Sequence, residues 1–263
     1  MSFLNRALCK NINNFHLTLF FFGHTTVNSS WKGKVVNPSC SRLYYVIKGT
    51  TVITTEGGSY VLSPGRWYLL PAGCTYEYNC EREMEHLYFH IKLSGSDGLD
   101  QLKNCKTPLC LDSPDLQPQN FSPEFKIIDG LLLHSKIYSV VLSILKIHNV
   151  SISSKTLSPC VIKAISYIRK NLSAQLTTEK IAENAFVSKS TLTKHFRKEL
   201  NMSVQEYLYD AIMFEAVQLL TRSSLSILQI SESLGFSDQF YFSRRFHQKY
   251  GTSPREYKKN MLI

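Results

Sequence analysis

The sequence predicts an α+β protein, with an N-terminal β-barrel of the jelly-roll type accompanied by helices and an all-α C-terminal domain with two helix-turn-helix motifs. The first half contains many short β-rich segments separated by Gly and Pro turns, which is typical of a barrel or jelly roll. The last third contains an internal repeat. We therefore divide the chain into an N-terminal domain at 1–150, a linker at 151–158 and a C-terminal domain at 159–263.

Strand-like segments occupy residues 43–47, 51–54 and 67–70, and each is rich in Tyr, Val, Ile, Leu or Thr. Turn sequences separate them. These turns are KG at 48–49, EGG at 56–58, SPG at 63–65 and PAG at 71–73. Such close spacing favours antiparallel strands over helices.

A loop rich in Ser, Gly and Pro is predicted at 94–123, followed by a helix at 125–150. Apolar residues recur in this helix at roughly helical spacing, namely Ile128, Leu131, Leu132, Ile137, Val141, Ile144, Leu145 and Ile147. Two roles are open for this apolar face: packing against the barrel, or contact between two copies of the chain. The polar segment 151–155 is typical of a flexible linker.

The repeat pairs 181–207 with 230–257, at an offset that changes from 49 to 50 residues between Ser188/Ser237 and Leu192/Phe242. Each copy has a short helix, a tight turn at 186–187 or 235–236, and a second helix for which Ser188 or Ser237 is the expected N-cap. This is the layout of a helix-turn-helix, so two tandem DNA-reading units are predicted.

The second helix of each copy has a buried stripe in the prediction: 192, 196 and 200 in the first copy, and 242, 246 and 250 in the second. Rotation by 100° per residue places polar and basic residues on the opposite face. These candidate DNA contacts are Ser190, Thr193, Lys194, Arg197, Gln239, Phe240, Ser243, Arg244 and His247. A continuous helix at 204–220 is expected to connect the copies.

Three motifs carry a family resemblance: GFSDQ at 235–239, YFSRRF at 241–246 and GTSPREY at 251–257. They closely resemble the C-terminal signature of AraC/XylS-type bacterial transcription regulators, and the resemblance covers about 100 residues from Ile162 to Lys259. It implies base reading by Ser190, Thr193, Lys194, Gln239, Phe240 and Arg244. Phe240 has no hydrogen-bonding group, so a thymine methyl is its expected contact.

The segment from Tyr45 to Gly73 resembles the cupin-like sensor domain of many AraC-type regulators. Cupin enzymes hold a metal with a His-x-His pair, a Glu and a later His, but this chain has SRLY at 41–44 and Tyr76 at those places. We therefore predict no metal, no cofactor and no catalytic residues. His86 and His90 are expected to be hydrogen-bonded core histidines.

A barrel interior without a metal can still bind a small molecule through apolar walls and a few polar groups. Seven residues offer that chemistry, although each also fits ordinary packing. They are Trp31, Arg42, Tyr44, Trp67, Tyr76, His86 and Tyr88.

The net charge is +10, and residues 156–263 carry 15 Lys and Arg against 9 Asp and Glu, which suits a polyanionic partner. The seven cysteines lack metal-site spacing and are expected to be reduced. The apolar run 15–22 is too short to span a membrane, and a cytoplasmic protein without a membrane partner is predicted.

The sequence thus predicts a regulator that binds double-stranded DNA, forms a homodimer, contacts RNA polymerase and responds to a small-molecule effector. Two alternatives stay open. One is a regulator whose sensor domain binds a protein, and the other is a barrel enzyme with a DNA-binding tail.

Overall fold

A computed structural model describes residues 12–112, 126–152 and 157–261, which belong to two compact units. The first unit runs to Gly95 and then from Leu99 to Ser154; Ser96–Gly98 and the residues from Lys155 onward form the second. The first unit is rich in strands and the second is built from helices, which is the architecture that the sequence predicts.

Two antiparallel sheets make up most of the first unit. The five-stranded sheet has the order β1-β8-β3-β6-β9, and the four-stranded sheet has the order β2-β7-β4-β5. The strands are β1 (His16–Asn28), β2 (Lys32–Val35), β3 (Ser41–Gly49), β4 (Thr51–Thr55), β5 (Gly58–Leu62), β6 (Arg66–Leu70), β7 (Tyr76–Asn79), β8 (Glu83–Ser94) and β9 (Leu109–Asp112).

Side chains of the five-stranded sheet alternate between two cores, because successive residues of a strand point to opposite faces. On β3, Tyr44 and Val46 pack with residues of the four-stranded sheet such as Ile53. Leu43 and Tyr45 point the other way, into a core shared with helix α1 (Ile127–Ile147). Both faces of this sheet therefore carry a hydrophobic core.

Helix α1 divides its apolar residues between core and surface. Ile137, Val140, Val141, Ile144 and Leu145 are buried in the core shared with the five-stranded sheet. Four others that were expected to be part of its apolar face, Ile128, Leu131, Leu132 and Ile147, are 58%, 61%, 63% and 60% exposed. Among the helices of the described residues, only α1 has the length and composition of a membrane span, and five of its residues pack in the core shared with the five-stranded sheet.

The expected loop at 94–123 contains more structure than predicted. A short 3-10 helix spans Gln101–Asn104, and β9 pairs with β6. Leu109 and Leu111 of β9 pack in the core with α1, and two alternating leucines are too short a pattern to predict a strand. Residues 113–123 of that loop and 153–156 of the predicted linker lie outside the described residues.

None of the cysteines within the described ranges takes part in a disulfide, and Cys9 lies outside those ranges.

The second unit contains two similar helical arrangements on either side of a long connector, α5. The helices are α2 (Pro159–Lys170), α3 (Thr178–Asn184), α4 (Lys189–Leu200), α5 (Val204–Arg222), α6 (Ile227–Ser233), α7 (Gln239–Tyr250) and α8 (Pro254–Met261). The 19 residues of α5 correspond to a length of about 28 Å at 1.5 Å per residue. The predicted continuous connector is thus present.

Aromatic packing forms the core of the second repeat. The Phe246 ring is fully buried and lies 5.9 Å from Phe242, 4.7 Å from Tyr250 and 5.3 Å from Tyr257, measured between ring centroids. The matching Phe196 of the first repeat is also fully buried and lies 5.9 Å from Tyr207.

We expect Phe246→Ala to destabilise the second repeat by about 3 to 5 kcal/mol, because the lost ring leaves a cavity among the aromatic side chains of the second repeat. Hydrogen exchange of the α7 amides in the full chain measures the effect. Phe240→Ala is the matched control, since Phe240 lies on the same helix but is 70% exposed. Equal exchange in the two variants would contradict this core assignment.

A buried carboxylate lies at the start of the 3-10 helix. Oδ1 of Asp100 accepts hydrogen bonds from the backbone N–H groups of Leu93 (3.3 Å) and Leu102 (3.1 Å), whereas Oδ2 has no partner among the described residues. Burial raises the pKa of Asp100 from 3.8 to about 6. Because the folded state holds this proton more tightly than the unfolded state, the contribution of Asp100 to stability falls as the pH rises from 3.8 to 6.

Asp100→Asn removes the titration while its side-chain oxygen can still accept both backbone hydrogen bonds. We expect the free energy of unfolding of the variant to gain about 1.4 kcal/mol relative to wild type between pH 5 and pH 7.5. Trp31 and Trp67 both lie in the first unit, so tryptophan fluorescence during urea denaturation reports its unfolding. Asp112→Asn, at an exposed carboxylate, is the control. A pH-independent difference would show that Asp100 does not titrate in this range.

Candidate nucleic-acid interface and inner cluster

The orientation of α4 is determined by its N-cap and its buried stripe. The Ser188 hydroxyl accepts a hydrogen bond from the Thr191 backbone N–H at 3.2 Å, as predicted. Leu192, Phe196 and Leu200 are buried, which turns the opposite side of the helix outward. On that outward side, Ser190, Lys194 and Arg197 are exposed and Thr193 is half-buried.

Helix α7 repeats this arrangement with one correction. Its N-cap is Asp238 and not Ser237: the Asp238 carboxylate accepts hydrogen bonds from the backbone N–H groups of Phe240 (2.7 Å) and Tyr241 (2.9 Å). The offset between the two repeats changes at this point, because the second copy has one additional residue before its helix. The additional residue moves the capping position from Ser237 to Asp238.

The outward side of α7 contains the five predicted residues. Phe240, Arg244 and His247 are exposed, and Gln239 and Ser243 are half-buried. Phe242, Phe246 and Tyr250 occupy the buried side.

The two turns use left-handed backbone conformations. Phe186 has φ 59° in the first copy and Gly235 has φ 76° in the second. Only glycine adopts this conformation without a steric cost. Phe186 is also 80% exposed, with the Lys163 ammonium 4.6 Å from its ring centroid.

The two outward faces differ in how many of their polar groups are already engaged. Arg197 forms an ion pair with Glu206 (Nη1 to Oε2, 3.3 Å), and the Thr193 hydroxyl donates to the Lys189 carbonyl at 2.8 Å. Arg244 instead lies over the Tyr241 ring, 5.9 Å from its centroid, and forms no ion pair with the described residues. The second copy therefore presents the more available guanidinium.

Each copy has a glutamate near the C-terminal end of its outward-facing helix. The backbone N–H of Ser203 holds the pKa of Glu206 below its usual value, and Ser253 does the same for Glu256. These carboxylates stay ionised close to Arg197 and His247, respectively. They limit how far the positive surface extends along each helix.

Four residues that the sequence did not single out fix α7 to the connector. The Tyr209 hydroxyl donates to the Arg245 carbonyl at 2.7 Å, and the Arg245 guanidinium lies 4.2 Å from the Tyr209 ring centroid. Lys249 forms an ion pair with Asp210. No sequence pattern marks these contacts, because they join residues about 36 to 39 positions apart.

The first copy supports its outward-facing helix differently. His195 and Glu199 occupy the positions of Arg245 and Lys249, and they pair with each other (Nδ1 to Oε1, 2.7 Å). The other oxygen of Glu199 accepts a hydrogen bond from the Ser158 backbone N–H at 2.8 Å. Glu199 thus joins α4 to the residue that precedes α2.

A second set of polar and aromatic residues lies in the first unit, on the facing sides of the two sheets. We call it the inner cluster: Arg42, Tyr44, Tyr76, His86, Tyr88 and His90. Tyr76 is on β7 of the four-stranded sheet and the others are on β3 and β8. Strand register places Arg42 beside His90, Tyr44 beside Tyr88 and Val46 beside His86. The Arg42 guanidinium lies over the Tyr76 ring, 5.6 Å from its centroid, and donates a hydrogen bond to its hydroxyl.

Aromatic rings continue the inner cluster across the space between the sheets. The His86 ring centroid lies 5.1 Å from Tyr44, 6.2 Å from Tyr88 and 6.0 Å from Trp31, and Trp31 lies 4.4 Å from Tyr78. Gly23 opposite Tyr88 makes room for this arrangement, because a Cβ there would lie 2.5 Å from the Tyr88 hydroxyl.

Six of the seven residues predicted to line a ligand site therefore lie together. Trp67 does not: it is fully buried on the opposite face of the sheet, in the core shared with α1. The Trp67 side chain suits a ligand pocket chemically, but strand alternation places it on the face where it packs with Tyr45 and Phe89. His90 and Tyr78, which were not among the seven, lie beside these six; the spacing of His86, Tyr88 and His90 by two residues puts all three on one face of β8.

The expectation of buried core histidines is confirmed, and a hydrogen bond joins His86 to the Met84 backbone. His86 and His90 are buried, 3% and 7% exposed, but Nδ1 of each has no hydrogen-bond partner among the described residues. Burial lowers the pKa of His86 to about 4 and that of His90 to about 3, so both imidazoles are neutral at pH 7. No group of three metal-ligating side chains occurs within the described residues.

Comparison with known proteins assigns both halves of the chain. Residues 181–260 match the helix-turn-helix domain model, and residues 42–126 match the model of the AraC-like ligand-binding domain. The chain is an AraC-type transcription regulator. The candidate DNA contacts lie within the first match, and all members of the inner cluster lie within the second.

Two relatives are similar to this AraC-type regulator over most or nearly all of its length. The Msm operon regulatory protein of Streptococcus mutans is 26% identical over 99% of each chain. The lactose operon transcription activator of Staphylococcus xylosus is 26% identical over 85% of each. The structure of ToxT from Vibrio cholerae with a bound unsaturated fatty acid matches with a TM-score of 0.56 at 14% identity, covering 92% of this chain and 95% of ToxT, so the fold is shared.

We expect Arg244→Ala to weaken binding to a selected DNA site by about 1 to 3 kcal/mol, because an arginine without an ion pair can form two hydrogen bonds with guanine. Binding to scrambled DNA should change less. Arg197→Ala is the matched comparison, since an arginine that contacts only the DNA backbone should lose affinity about equally on both duplexes. Titrations on both duplexes measure the difference, and an equal loss on both would mean that Arg244 contacts only phosphate.

Proposed function

We propose that this AraC-type regulator is a cytoplasmic transcription activator that binds paired DNA sites as a homodimer and is controlled by a small molecule bound at the inner cluster. The observation that carries the proposal is the pair of outward-facing helices, α4 and α7, held on one scaffold with similar buried stripes. If these polar faces were only solvent-exposed surface, nothing would require the same arrangement twice.

In this proposal α4 and α7 enter successive segments of the major groove. These segments repeat about every 34 Å on one side of the duplex, and α5 has a length of about 28 Å. Ser190, Thr193 and Lys194 read bases from α4, and Gln239, Phe240 and Arg244 read bases from α7. Gln239 suits adenine, Phe240 a thymine methyl and Arg244 guanine. Arg197, Ser243 and His247 contact the backbone, which positions the helices.

The effector site in this proposal consists of Trp31, Arg42, Tyr44, Tyr76, His86 and Tyr88, with His90 added and Trp67 removed. The aromatic rings provide apolar walls, and the imidazole and guanidinium groups provide hydrogen bonds. The inner cluster belongs to the ligand-binding match, which supports an effector more than an enzymatic role. RNA polymerase is the further partner that an activator requires.

Dimerisation is proposed for the exposed part of α1. Ile128, Leu131 and Leu132 are more than half exposed, and a soluble protein gains by burying neighbouring apolar side chains of this size. A second copy of α1 offers a matching apolar surface, as a two-fold interface requires. A dimer would bring two pairs of DNA-reading helices to paired sites.

We expect Leu131→Asp to convert the dimer to a monomer in light scattering, because a charge at the interface is costly to desolvate. Affinity for paired DNA sites should fall by up to about 100-fold, since the second binding event is no longer intramolecular. Affinity for a single site should not change.

Val61→Asp is the matched control, because Val61 is 58% exposed on β5 and lies outside α1. A Leu131→Asp protein that remains dimeric, or a wild-type monomer that binds paired sites no better than single sites, would contradict the proposed dimer.

A further inference from the structure

The inner cluster has an uncompensated charge. Arg42 is always protonated at physiological pH, and His86 and His90 are neutral, so the guanidinium is its one full charge at pH 7. Arg42 forms no ion pair with the described residues, and its recorded hydrogen bond goes to the neutral Tyr76 hydroxyl. The nearby acidic residues are engaged elsewhere, Glu77 with Lys34 and Glu85 with His24.

A guanidinium that is partly removed from water without a carboxylate partner is costly, unless an anion approaches it. The residues around Arg42 reinforce this cost. Burial and the positive charge of Arg42 both lower the pKa of His90, so this imidazole remains uncharged beside it. The chain itself supplies no anion here from the residues that the structure describes.

Solvent reaches the inner cluster although it lies between two sheets. Tyr88 is on β8, which pairs with a strand on each side, and its ring faces the four-stranded sheet, yet Tyr88 is only partly buried. Arg42, Trp31 and Tyr78 are likewise partly buried. A small molecule can therefore approach Arg42 from solvent.

The two imidazoles add neutral hydrogen-bonding groups. His86 and His90 are more than nine-tenths buried, and their Nδ1 atoms have no partner among the described residues. A buried polar atom without a partner costs free energy that a ligand hydroxyl recovers. Tyr44 and Tyr88, adjacent to the imidazoles, offer flat apolar surfaces to the carbon skeleton of the ligand.

We propose that the inner cluster binds a small hydroxylated carboxylate, with the carboxylate on Arg42 and the hydroxyl groups on His86 and His90. The inference rests on the proposed effector site and specifies the charge of the ligand. A neutral polyol would satisfy the imidazoles but would leave the Arg42 charge uncompensated. A purely apolar acid would leave the imidazoles without partners.

The test compares matched acids and neutral compounds: galacturonate with galactose, glucuronate with glucose, and gluconate with glucitol. The chain has two tryptophans, so Trp67→Phe leaves Trp31, near His86, as the single fluorescent reporter. We expect at least one acid to change the Trp31 emission saturably and to bind about 10-fold tighter than its neutral counterpart. Calorimetry on the wild-type chain repeats the comparison without the background substitution.

Three variants test whether the preference for the acid over its neutral counterpart depends on the charge of Arg42. Arg42→Gln should lose about 10-fold in affinity for the acid and bind the two members of the pair equally. Arg42→Lys keeps the charge and should retain the preference for the acid. Arg66→Gln, at an exposed arginine paired with Asp112, should match wild type.

Each outcome decides the proposal. A neutral compound that binds as tightly as its acid, an Arg42→Gln protein that keeps the acid preference, or a panel in which no acid binds would overturn it. Titrations of a DNA duplex selected by the protein, with and without each compound, distinguish failure of this proposal from failure of the proposed function. If only a neutral sugar changes DNA binding, the proposed control by a small molecule stands and the proposed carboxylate ligand is wrong. If an acid binds without changing DNA affinity, the carboxylate ligand stands and its role as effector is wrong.

Discussion

The requirement to bury three side chains spaced four residues apart determines how α4 and α7 can be used. Phe196 and Phe246 are each the middle residue of such a stripe, and both are fully buried. Once the stripe is buried, the rotation of the helix is fixed and the residues on its other side must face outward. The N-caps and the contacts of Tyr209 with α7 also hold the helices in place. The buried stripe, however, already determines the rotation of each helix.

The same logic explains which parts of the molecule were predictable from sequence. The duplicated spacing predicted both helix-turn-helix motifs, and 100° periodicity placed all nine candidate DNA contacts on sides that are exposed or half-buried. Local patterns do not report partners distant in sequence. They missed the strand β9, which depends on its pairing with β6, and the ion pair of Arg197 with Glu206. The N-cap at Asp238 is a local feature that was missed because of the one-residue insertion before α7.

In the first unit, residue type was a weaker guide than strand register. Trp67 has the chemistry of a ligand-binding residue, but the alternation of β6 turns it toward α1. His90, which was not among the predicted ligand-binding residues, shares a face of β8 with His86 and Tyr88. A set of aromatic and polar residues predicts a site only when the register shows which of them share a face.

The left-handed turn at Phe186 has a consequence for the redesign of DNA specificity. A non-glycine residue in this conformation costs about 1 to 3 kcal/mol, and the Lys163 ammonium over its ring recovers about 0.5 to 1 kcal/mol of that. Gly235 carries no such cost. This turn therefore leaves more stability available for mutational change in the second copy, and we expect libraries of altered recognition residues to be better tolerated on α7 than on α4.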